Sequence, residues 1–537
     1  MNFNTKYSII YSLIYKIENR ISFFTKKPAI SLLIIGIIGL GIRLSFFESE
    51  IPIRQDANAY FWYAIDMSIL NYFPPSAHAN DGWPMILSGV FSIFNFNNYL
   101  DYTILQRITT IIISVLTIIP VYYLCRKFFQ PIYSLVGAAL FVIEPHLVQN
   151  SLLGLTEPLY ILLGISSLSL FLSKNKKLMY SSFGIIAFTT VVRAEGIILF
   201  VILLILFFIF NKKDKKIIGK FFIIISIFII IFGSMTAIKI DTNDGLESTS
   251  ALNIGRWVGT SVTPVTNNED GISIEGITKG IETLTKRLAQ SMIPYFALFV
   301  PFGLILIFRN RDKNKFLVII SLIIYLIALV RMLSVVTDLR LMLVLYPLFV
   351  ILSLYTIQHF TQKLKLEKIF LILIICGSLV LSTYFLYSDV NSEYEKEVYD
   401  FANYMANNVK VSNNFYPESG FVYGAWASSN LEFPILSSSA KYEGPELLDY
   451  VENSYDYLEK EAKSIDEYIV LSRNQGLSHL VVDGNDKRAL YFKDLFYNEE
   501  KYSYLIKEFD SVEQGYKQYK VKIFKIDYND FEKLNFQ

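Results

Sequence analysis

Ionisable side chains recur in this sequence beside long apolar segments, where each charge is costly unless it is paired or bound by a ligand. The set of acids, arginines and one histidine is Arg54, Asp56, Glu144, His146, Glu157, Arg193, Glu195, Arg331, Asp338 and Arg340. A guanidinium binds a phosphate through paired hydrogen bonds and stays charged when water is removed. A carboxylate takes a proton from a hydroxyl or helps to hold a divalent metal ion. These residue types therefore suit a reaction on an anionic substrate at the edge of a membrane.

The composition indicates that the elements carrying these residues cross a membrane. The 537-residue chain is 53% hydrophobic and 18% charged, whereas soluble domains are about 25% charged. Apolar stretches long enough to span a bilayer recur, which is typical of a polytopic α-helical membrane protein. The eleven predicted spans are 29–47, 104–125, 131–148, 155–172, 178–193, 195–210, 217–238, 288–308, 316–331, 339–358 and 368–387. The short apolar stretch 84–96 predicts a re-entrant or interfacial segment, and the net charge of +1 favours no nucleic-acid partner.

The Lys and Arg residues of the short connections define the two sides of the membrane. They fall on alternate sides of successive spans, as in Lys26/Lys27, Arg126/Lys127, Lys174/Lys176, Lys212/Lys213, Arg309/Arg311 and Lys363/Lys368. Such clusters mark cytoplasmic connections. The sequence thus predicts a multi-pass protein of the cell membrane with a cytoplasmic N-terminus. The loops 48–103 and 239–287, the residues after 388 and the ionisable set listed above are then extracytoplasmic.

Three regions are predicted along the chain. Residues 1–28 form a cytoplasmic or interfacial amphipathic segment, residues 29–388 the transmembrane domain, and residues 389–537 an extracytoplasmic α/β domain. In the last region, 393–408 has helical periodicity, Ser464 to Glu467 resembles a capping box, and 477–483 and 519–527 alternate as strands do. The loop 239–287 is rich in Gly, Asn and Asp, and it predicts a mobile segment that closes over the substrate.

Further residues could line the outer cavity, and several have a second interpretation. Tyr60, His78 and Trp83 lie in the first outer loop, where Phe61, Trp62 and Tyr63 form either an interfacial aromatic belt or a platform for a sugar ring. Glu144 and His146 are either metal ligands or a hydrogen-bonded core pair. Arg43, within the first span, is expected to extend towards the membrane surface. For the whole set, structural ion pairs at helix ends are the alternative to a substrate site.

The order of short motifs resembles the GT-C membrane glycosyltransferases, in particular the branch similar to protein O-mannosyltransferases and aminoarabinose transferases. The motifs are Asp56 with Tyr60, GWPMILSGVFSIF (82–94), the span opened by LQR (105–107), TEP (156–158), RAEG (193–196) and DLRLMLVLYP (338–347). Each motif is weak alone, but their order and their common side of the membrane are specific. The resemblance covers roughly residues 29–360.

The resemblance implies a GT-C-like fold and a sugar donor linked to polyprenyl or dolichyl phosphate. It implies inverting transfer of a hexose or pentose, outside the membrane, to a protein, lipid or glycan. Asp56 would be the catalytic base and Glu157 the second acidic residue, with Mg or Mn as a possible cofactor. The arginines assigned to the donor phosphate are Arg54, Arg193, Arg331 and Arg340. Protein O-mannosyltransferases carry Asp-Glu where this chain has Asp56-Ala57, which leaves the sugar and the acceptor open.

Two other functions use similar residues. A lipid-linked glycan flippase or transporter places its charges near the bilayer midplane and often has two similar halves. Here the charges lie at the outer rim, and no similarity between halves is evident. A glycan polymerase has a similar substrate, but it does not need an Asp directly after the first span.

Overall fold

A computed structural model describes the chain over residues 26–50, 53, 56–68, 81–94, 96, 99–242, 274–309, 312–334, 337–364, 366–389, 392–408, 421–424, 462–473, 477–483 and 489–535. Arg54, His78, the amphipathic segment before residue 26 and most of the loop 239–287 lie outside these ranges. The contacts divide the chain into two units. The membrane unit comprises Met1–Phe47, Pro75–Val90 and Leu105–Asp389, and the C-terminal unit comprises Glu48–Pro74, Phe91–Ile104 and Val390–Gln537.

Sixteen helices are described up to residue 389. They are Pro28–Ser45 (α1), Asp56–Ser68 (α2), Gly82–Phe91 (α3), Tyr99–Leu116 (α4), Ile118–Cys125 (α5), Pro131–Val142 (α6), Pro145–Ser151 (α7), Glu157–Phe171 (α8), Lys176–Val192 (α9), Gly196–Asn211 (α10), Ile217–Thr242 (α11), Ile274–Ser291 (α12), Phe296–Arg309 (α13), Lys315–Leu333 (α14), Tyr346–Thr361 (α15) and Glu367–Asp389 (α16), with a 3₁₀ helix at Leu339–Leu345. Proline occupies the first or second position of α1, α6, α7, α8 and α15. Its missing N–H costs no helical hydrogen bond there.

The helices confirm a polytopic membrane protein. Within the described ranges, six segments are long and apolar enough to cross a bilayer: Pro28–Ser45, Asp101–Cys125, Ile217–Met235, Lys315–Leu333, Leu339–Thr361 and Glu367–Ser388. The pairs α6–α7 and α12–α13, bent by 54° and 111°, raise the number to eight. The three other predicted spans coincide with α8, α9 and α10, which have 15, 17 and 16 residues. A perpendicular span needs about 20 residues, so length alone does not establish the predicted number of eleven.

Helix α12 differs from the sequence prediction, which assigned its first part to a loop. Its apolar residues Ile277, Ile281, Leu284 and Leu288 recur at helical spacing, so the segment is an amphipathic helix that the sequence prediction missed among its polar residues. Gly280 packs so closely against α14 that an added Cβ would lie 2.1 Å from the carbonyl oxygen of Val330. Glycine therefore allows the two helix backbones to touch.

Arg43 also differs from its prediction, because it does not extend to the membrane surface. The side chain is fully buried. It donates from Nη1 to the carbonyl oxygens of Gly39 (3.0 Å) and Val142 (2.9 Å), and from Nη2 and Nε to the hydroxyls of Ser114 (2.9 Å) and Ser151 (3.1 Å). These partners satisfy the guanidinium inside the protein, so α1, α4, α6 and α7 are tied together by one side chain.

The C-terminal unit contains a four-stranded sheet. After residue 389 the elements are Ser392–Asn408 (α17), Phe421–Gly424 (β1), Ile465–Arg473 (α18), Leu477–Asp483 (β2), Leu490–Tyr497 (α19), a 3₁₀ helix at Glu499–Lys501, Leu505–Asp510 (β3), Val521–Ile526 (β4) and Tyr528–Asn535 (α20). The strand order is β1-β2-β4-β3, with β1 parallel to β2 and the other neighbours antiparallel. The predicted strands coincide with β2 and β4. The predicted capping box is confirmed, because Glu467 N donates to Ser464 Oγ at 3.1 Å and Glu467 Oε2 accepts from Lys463 N at 2.7 Å.

Both faces of this sheet are covered. Successive residues of a strand point to opposite faces, so Leu480 and Val482 join a core with α18, α19 and α20. Val481 lies on the other face, against Val398 and Phe401 of α17. Successive residues of the central strand β2 are therefore apolar from Leu480 to Val482, because each face of the sheet has its own core.

The aromatic residues of α2 belong to a core. Phe61, Trp62 and Tyr63 are 0%, 1% and 7% exposed, and the Phe61 ring meets the Phe91 ring edge to face at 5.9 Å. The predictions of an interfacial belt and of a sugar platform are therefore both wrong for these three side chains.

Candidate active site

The junction between α9 and α10 of the membrane unit brings two charged residues together. Arg193 follows α9 with an extended backbone (φ −148°, ψ 131°), and Glu195 directly precedes α10. Gly196 is needed at this junction, because an added Cβ would lie 2.6 Å from the backbone of Thr190. The tight turn holds the chain against α9 and presents Arg193 and Glu195 side by side.

Arg193 is the centre of an ion-pair cluster. Its Nη1 donates to Glu157 Oε1 at 2.5 Å and to Thr156 Oγ1 at 2.9 Å. Its Nη2 and Nε donate to the two carboxylate oxygens of Glu195 at 2.9 and 3.3 Å. The cluster thus joins the start of α8 to the α9–α10 turn, although Glu157 and Arg193 are 36 residues apart in the sequence.

Arg340 adds a second guanidinium from the 3₁₀ helix. Its Nη1 lies 3.9 Å from Glu157 Oε1, and its Nε donates to Asp338 Oδ2 at 2.5 Å. Asp338 also caps the 3₁₀ helix by accepting from the backbone N–H of Arg340 at 2.8 Å. Glu157 is therefore shared between two arginines, and its charge is stabilised from both sides.

The cluster opens into a cavity of about 390 Å³. Its lining comprises Glu157, Tyr160, Ile161, Arg193, Glu195, Ile198, Tyr325, Leu329, Met332, Arg340, Leu341, Leu343 and Val344. Glu157 is 4% exposed, and its Oε2 atom has no hydrogen-bond partner among the described residues. A buried carboxylate oxygen without a donor is costly, and it marks a place where a ligand donor would be stabilised.

A second, apolar cavity of about 340 Å³ shares the lining residues Tyr160, Ile161, Tyr325 and Val344 with the first one. Its other walls are Gly164, Ile165, Leu168, Leu199, Ser321, Pro347 and Leu348. The site is consequently charged at one end and apolar at the other, with both tyrosines at the boundary.

A set of hydrogen bonds holds the turn that precedes Glu157. Gly154 has a positive φ of 77°, and its carbonyl oxygen accepts from Trp83 Nε1 at 3.1 Å and from Gln106 Nε2 at 2.8 Å. Arg107 Nε donates to the carbonyl oxygen of Leu152 at 2.7 Å. These contacts fix the backbone that leads into α8. Sequence reasoning missed Gln106, and it assigned Trp83 to the cavity wall, whereas the described indole is buried behind the turn.

Glu144 and His146 form a separate buried pair. Glu144 caps α7, with Oε2 accepting from Leu147 N at 2.8 Å and Oε1 accepting from His146 Nδ1 at 2.9 Å. The imidazole ring packs against the rings of Tyr346 and Phe385, with centroids 6.1 and 5.1 Å away. The geometry matches the hydrogen-bonded core pair, the second of the two interpretations predicted for these residues.

The metal prediction is not supported by a ready-made ligand set. Within the described ranges, no group of three or more His, Cys, Asp and Glu side chains is arranged to hold a metal ion. The carboxylates of the Arg193 cluster are engaged by arginines instead. The possible Mg or Mn cofactor therefore stays a prediction.

Three further predicted site residues lie on other helices. Arg331 lies in the last turn of α14, partly exposed, and among the described residues it does not line the cavity. Asp56 is the exposed first residue of α2, and Tyr60 is buried one turn later. Both belong to the C-terminal unit, and their roles stay predictions.

Comparisons with known proteins identify the fold. No family model and no curated protein sequence matches the chain. Among solved structures, the Archaeoglobus fulgidus oligosaccharyltransferase complex with zinc and sulfate is 15% identical, with a TM-score of 0.56 over 84% of this chain and 68% of that chain. The same archaeal enzyme, AglB, with an inhibitory peptide and a dolichol-phosphate is 12% identical, with a TM-score of 0.53 over 84% and 69%.

A bacterial structure covers more of both chains. ArnT from Cupriavidus metallidurans bound to undecaprenyl phosphate is 9% identical, with a TM-score of 0.57 over 93% of this chain and 97% of that chain. At such identities the likeness establishes the fold and leaves the substrate to other arguments. The predicted resemblance is confirmed at that level: the chain has the GT-C fold of these membrane glycosyltransferases.

Proposed function

We propose that this protein transfers a hexose or pentose from a polyprenyl- or dolichyl-phosphate donor to a protein, lipid or glycan acceptor at the outer face of the cell membrane. The observation that carries the proposal is the two-part cavity, which is charged at the Arg193 cluster and apolar beyond Tyr160 and Tyr325. A lipid-linked sugar phosphate has the same two ends. The Lys and Arg pattern supports a cytoplasmic N-terminus and an outer C-terminal unit.

The charged end supplies groups for the donor phosphate. Arg193 and Arg340 lie on either side of Glu157 Oε1, at 2.5 and 3.9 Å. Two guanidinia that converge on one oxygen are also placed to converge on a phosphate oxygen. Burial strengthens such contacts, because water no longer screens them.

The apolar end supplies a wall for the prenyl chain. Gly164 allows α8 to pack closely against α10 at this wall, because an added Cβ would lie 3.0 Å from the side chain of Leu199. Ile165, Leu168 and Leu348 complete the apolar lining. Each buried CH₂ group contributes about 0.8 kcal/mol, so a few isoprenoid carbons in the groove orient the whole donor.

The proposed reaction needs position and charge, and no covalent enzyme intermediate. Asp56 accepts the proton of the acceptor hydroxyl while the acceptor oxygen bonds to the anomeric carbon from the face opposite the phosphate. The bond from the anomeric carbon to the phosphate oxygen breaks, and both electrons leave with the phosphate. Arg193 and Arg340 stabilise the charge that develops there. Glu157 Oε2 accepts a hydrogen bond from a hydroxyl of the donor sugar.

The solved structures support a lipid-phosphate donor by analogy. Structures with this fold hold a dolichol-phosphate in the archaeal enzyme and undecaprenyl phosphate in ArnT. The archaeal enzyme has also been tethered to an acceptor peptide. The archaeal complex with zinc and sulfate supports an assay with and without added divalent metal.

The decisive experiment measures binding and transfer separately in the full-length Asp56→Asn protein. Removing the base should lower the transfer rate by about 10²–10⁴-fold, while binding of undecaprenyl phosphate stays as in the wild type. A panel of polyprenyl-phosphate sugars and candidate acceptors identifies the substrates in the same assay. The matched control is Asp101→Asn, which removes an exposed carboxylate from α4.

Two results would overturn the proposal. If Asp56→Asn transfers sugar at the wild-type rate, Asp56 is not the catalytic base. Movement of labelled donor lipid across vesicles without any acceptor, and without transfer when acceptor is present, would instead indicate a flippase.

A further inference from the structure

The carboxylates of the Arg193 cluster compete with any anion that binds its arginines. Among the described residues, Glu157, Glu195 and Asp338 pair with Arg193 and Arg340. Like charges repel at short range. A phosphate that binds the side edge of Arg193 must therefore displace the carboxylate that already holds that edge.

The contacts of Arg193 show which carboxylate occupies the phosphate position. The Nε and Nη2 atoms form the side edge of the guanidinium, and both donate to Glu195, at 3.3 and 2.9 Å. This fork geometry is the one by which arginine also binds phosphate. Glu157 and Thr156 occupy Nη1 instead, so the edge suited to a bidentate phosphate is held by Glu195.

Burial distinguishes the two carboxylates. The Glu157 side chain is 5% exposed, whereas the Glu195 side chain is 18% exposed. Glu195 stands just before α10, and Gly196 fixes the backbone there against Thr190. Rotation of the Glu195 side chain alone would release the fork, whereas Glu157 is held between two arginines.

We propose that Glu195 is an internal placeholder for the donor phosphate. In the empty site its carboxylate pairs with the side edge of Arg193, and the phosphodiester of the lipid donor takes its place. The exchange keeps the partly buried guanidinium paired at every stage, which avoids the cost of an uncompensated charge. This inference rests on the proposed function, since it names the event by which that donor enters the site.

The test is the affinity of the full-length protein for undecaprenyl phosphate in nanodiscs. Glu195→Gln removes the competing charge and leaves Arg193 in place, so it should bind about tenfold more tightly than the wild type, a change of about 1.4 kcal/mol. Undecaprenol, which lacks the phosphate, should show no such gain. Inorganic phosphate without a lipid tail separates the contribution of the anion from that of the chain.

Matched variants show whether the gain belongs to Arg193. Glu282→Gln removes an exposed carboxylate from α12 and should leave the affinity unchanged. In the Arg193→Gln background, Glu195→Gln should give no gain, because the shared edge is absent. A purely structural Glu195 would instead give equal or weaker binding, together with a lower unfolding temperature.

The outcomes separate the two proposals. Saturable binding by the wild type with no gain in Glu195→Gln overturns the placeholder and leaves the proposed function intact. No binding of undecaprenyl phosphate by either protein overturns the proposed function, and the placeholder with it.

Discussion

The described part of the membrane unit contains one arginine cluster around Arg43 and another around Arg193, and the two differ in how completely their carboxylate oxygens are hydrogen-bonded. Around Arg43, four of the five guanidinium N–H groups have protein acceptors, and both oxygens of nearby Glu144 accept hydrogen bonds. Around Arg193, the guanidinium is equally occupied, but Glu157, which lines the cavity, has a buried Oε2 atom without a hydrogen-bond partner among the described residues. Both carboxylate oxygens of the first cluster have donors, whereas the second cluster leaves one carboxylate oxygen without a described donor.

This difference separates a structural role from a functional one more sharply than charge or burial does. Arg43 is more deeply buried than Arg193, at 0% against 15% side-chain exposure, and yet its partners leave nothing for a ligand. A complete buried network specifies a fold, while an incomplete one costs stability unless a ligand completes it. Arg43 therefore organises the helices, whereas Arg193 is the residue that we propose for binding the substrate.

The largest effect is expected for Arg43→Met. The change leaves two buried hydroxyls and two carbonyl oxygens without their shared donor, and it removes the positive charge near Glu144. The free energy of unfolding should fall by about 3 kcal/mol. Thermal or denaturant unfolding in detergent measures this loss, with Arg309→Met, at the exposed end of α13, as the control.

A different result would break the comparison. If Arg43→Met unfolds like the wild type but no longer transfers sugar or binds donor lipid, Arg43 belongs to the substrate site. The complete cluster would then be as functional as the incomplete one.

A smaller effect is expected for Gln106→Leu, which tests whether the turn before Glu157 positions that carboxylate for the reaction. The change removes one of two donors to the carbonyl oxygen of Gly154, at a cost of about 1 kcal/mol in stability. The turn before α8 should shift, and a displaced Glu157 should lower kcat by about tenfold with little change in the KM for the donor. Steady-state kinetics with defined donor concentrations separate the two parameters.

The control for this variant is Gln130→Leu, which changes an exposed glutamine before α6. An unchanged kcat with a lowered unfolding temperature would show that Gln106 only stabilises the fold. Loss of donor binding would instead place Gln106 closer to the lipid than to Glu157.

Much of the membrane unit could be predicted, because a bilayer imposes strong rules on sequence. Apolar length predicted eleven spans, and within the described ranges six to eight segments are long and apolar enough to cross a bilayer. The Lys and Arg pattern predicted one consistent orientation for them. The lengths of the spans were predicted less well, since α8, α9 and α10 are shorter than the about 20 residues that a perpendicular span needs. The strands β1 and β3 were missed: β1 is four residues long, and β3 carries Lys507 and Glu508 in its middle.

The candidate site was predicted in part. The angular position of residues around α14 explains why Arg331, among the described residues, is not grouped with the other charged residues that line the cavity. Glu157, Arg193, Glu195, Asp338 and Arg340 meet as predicted, because each lies at or beside the end of a helix. Tyr325, Leu329 and Met332 line the cavity at a spacing of four and three residues, and Arg331 falls off that face. Sequence gave no sign of the Gln106 contact, which depends on the positive φ of Gly154, 48 residues away.

The smallest effect is expected in the C-terminal unit, where Glu397 extends the comparison to a third carboxylate. Its oxygens accept from the backbone N–H groups of Lys517, Gln518 and Tyr519 at 2.7, 2.8 and 2.7 Å. Burial raises the pKa of Glu397, but the three donors outweigh it, and the pKa lies below its ordinary value. Both oxygens are satisfied, so Glu397 should be structural, like Glu144.

Glu397→Gln should therefore lower the unfolding temperature by about 2 °C at pH 7 and leave transfer unchanged. A carboxyl whose folded pKa is lowered contributes stability above its unfolded pKa of about 4.3 and loses it as the pH falls through the folded value. The difference between variant and wild type should accordingly shrink as the pH falls below about 4.3. Melting curves at pH 7, 5 and 3 measure it, and a difference that is constant across this range would show that the carboxylate charge contributes nothing. If transfer is lost while stability is intact, a carboxylate whose two oxygens both accept hydrogen bonds can still serve the reaction. Hydrogen bonding of the oxygens would then no longer distinguish a functional Glu157 from a structural Glu144.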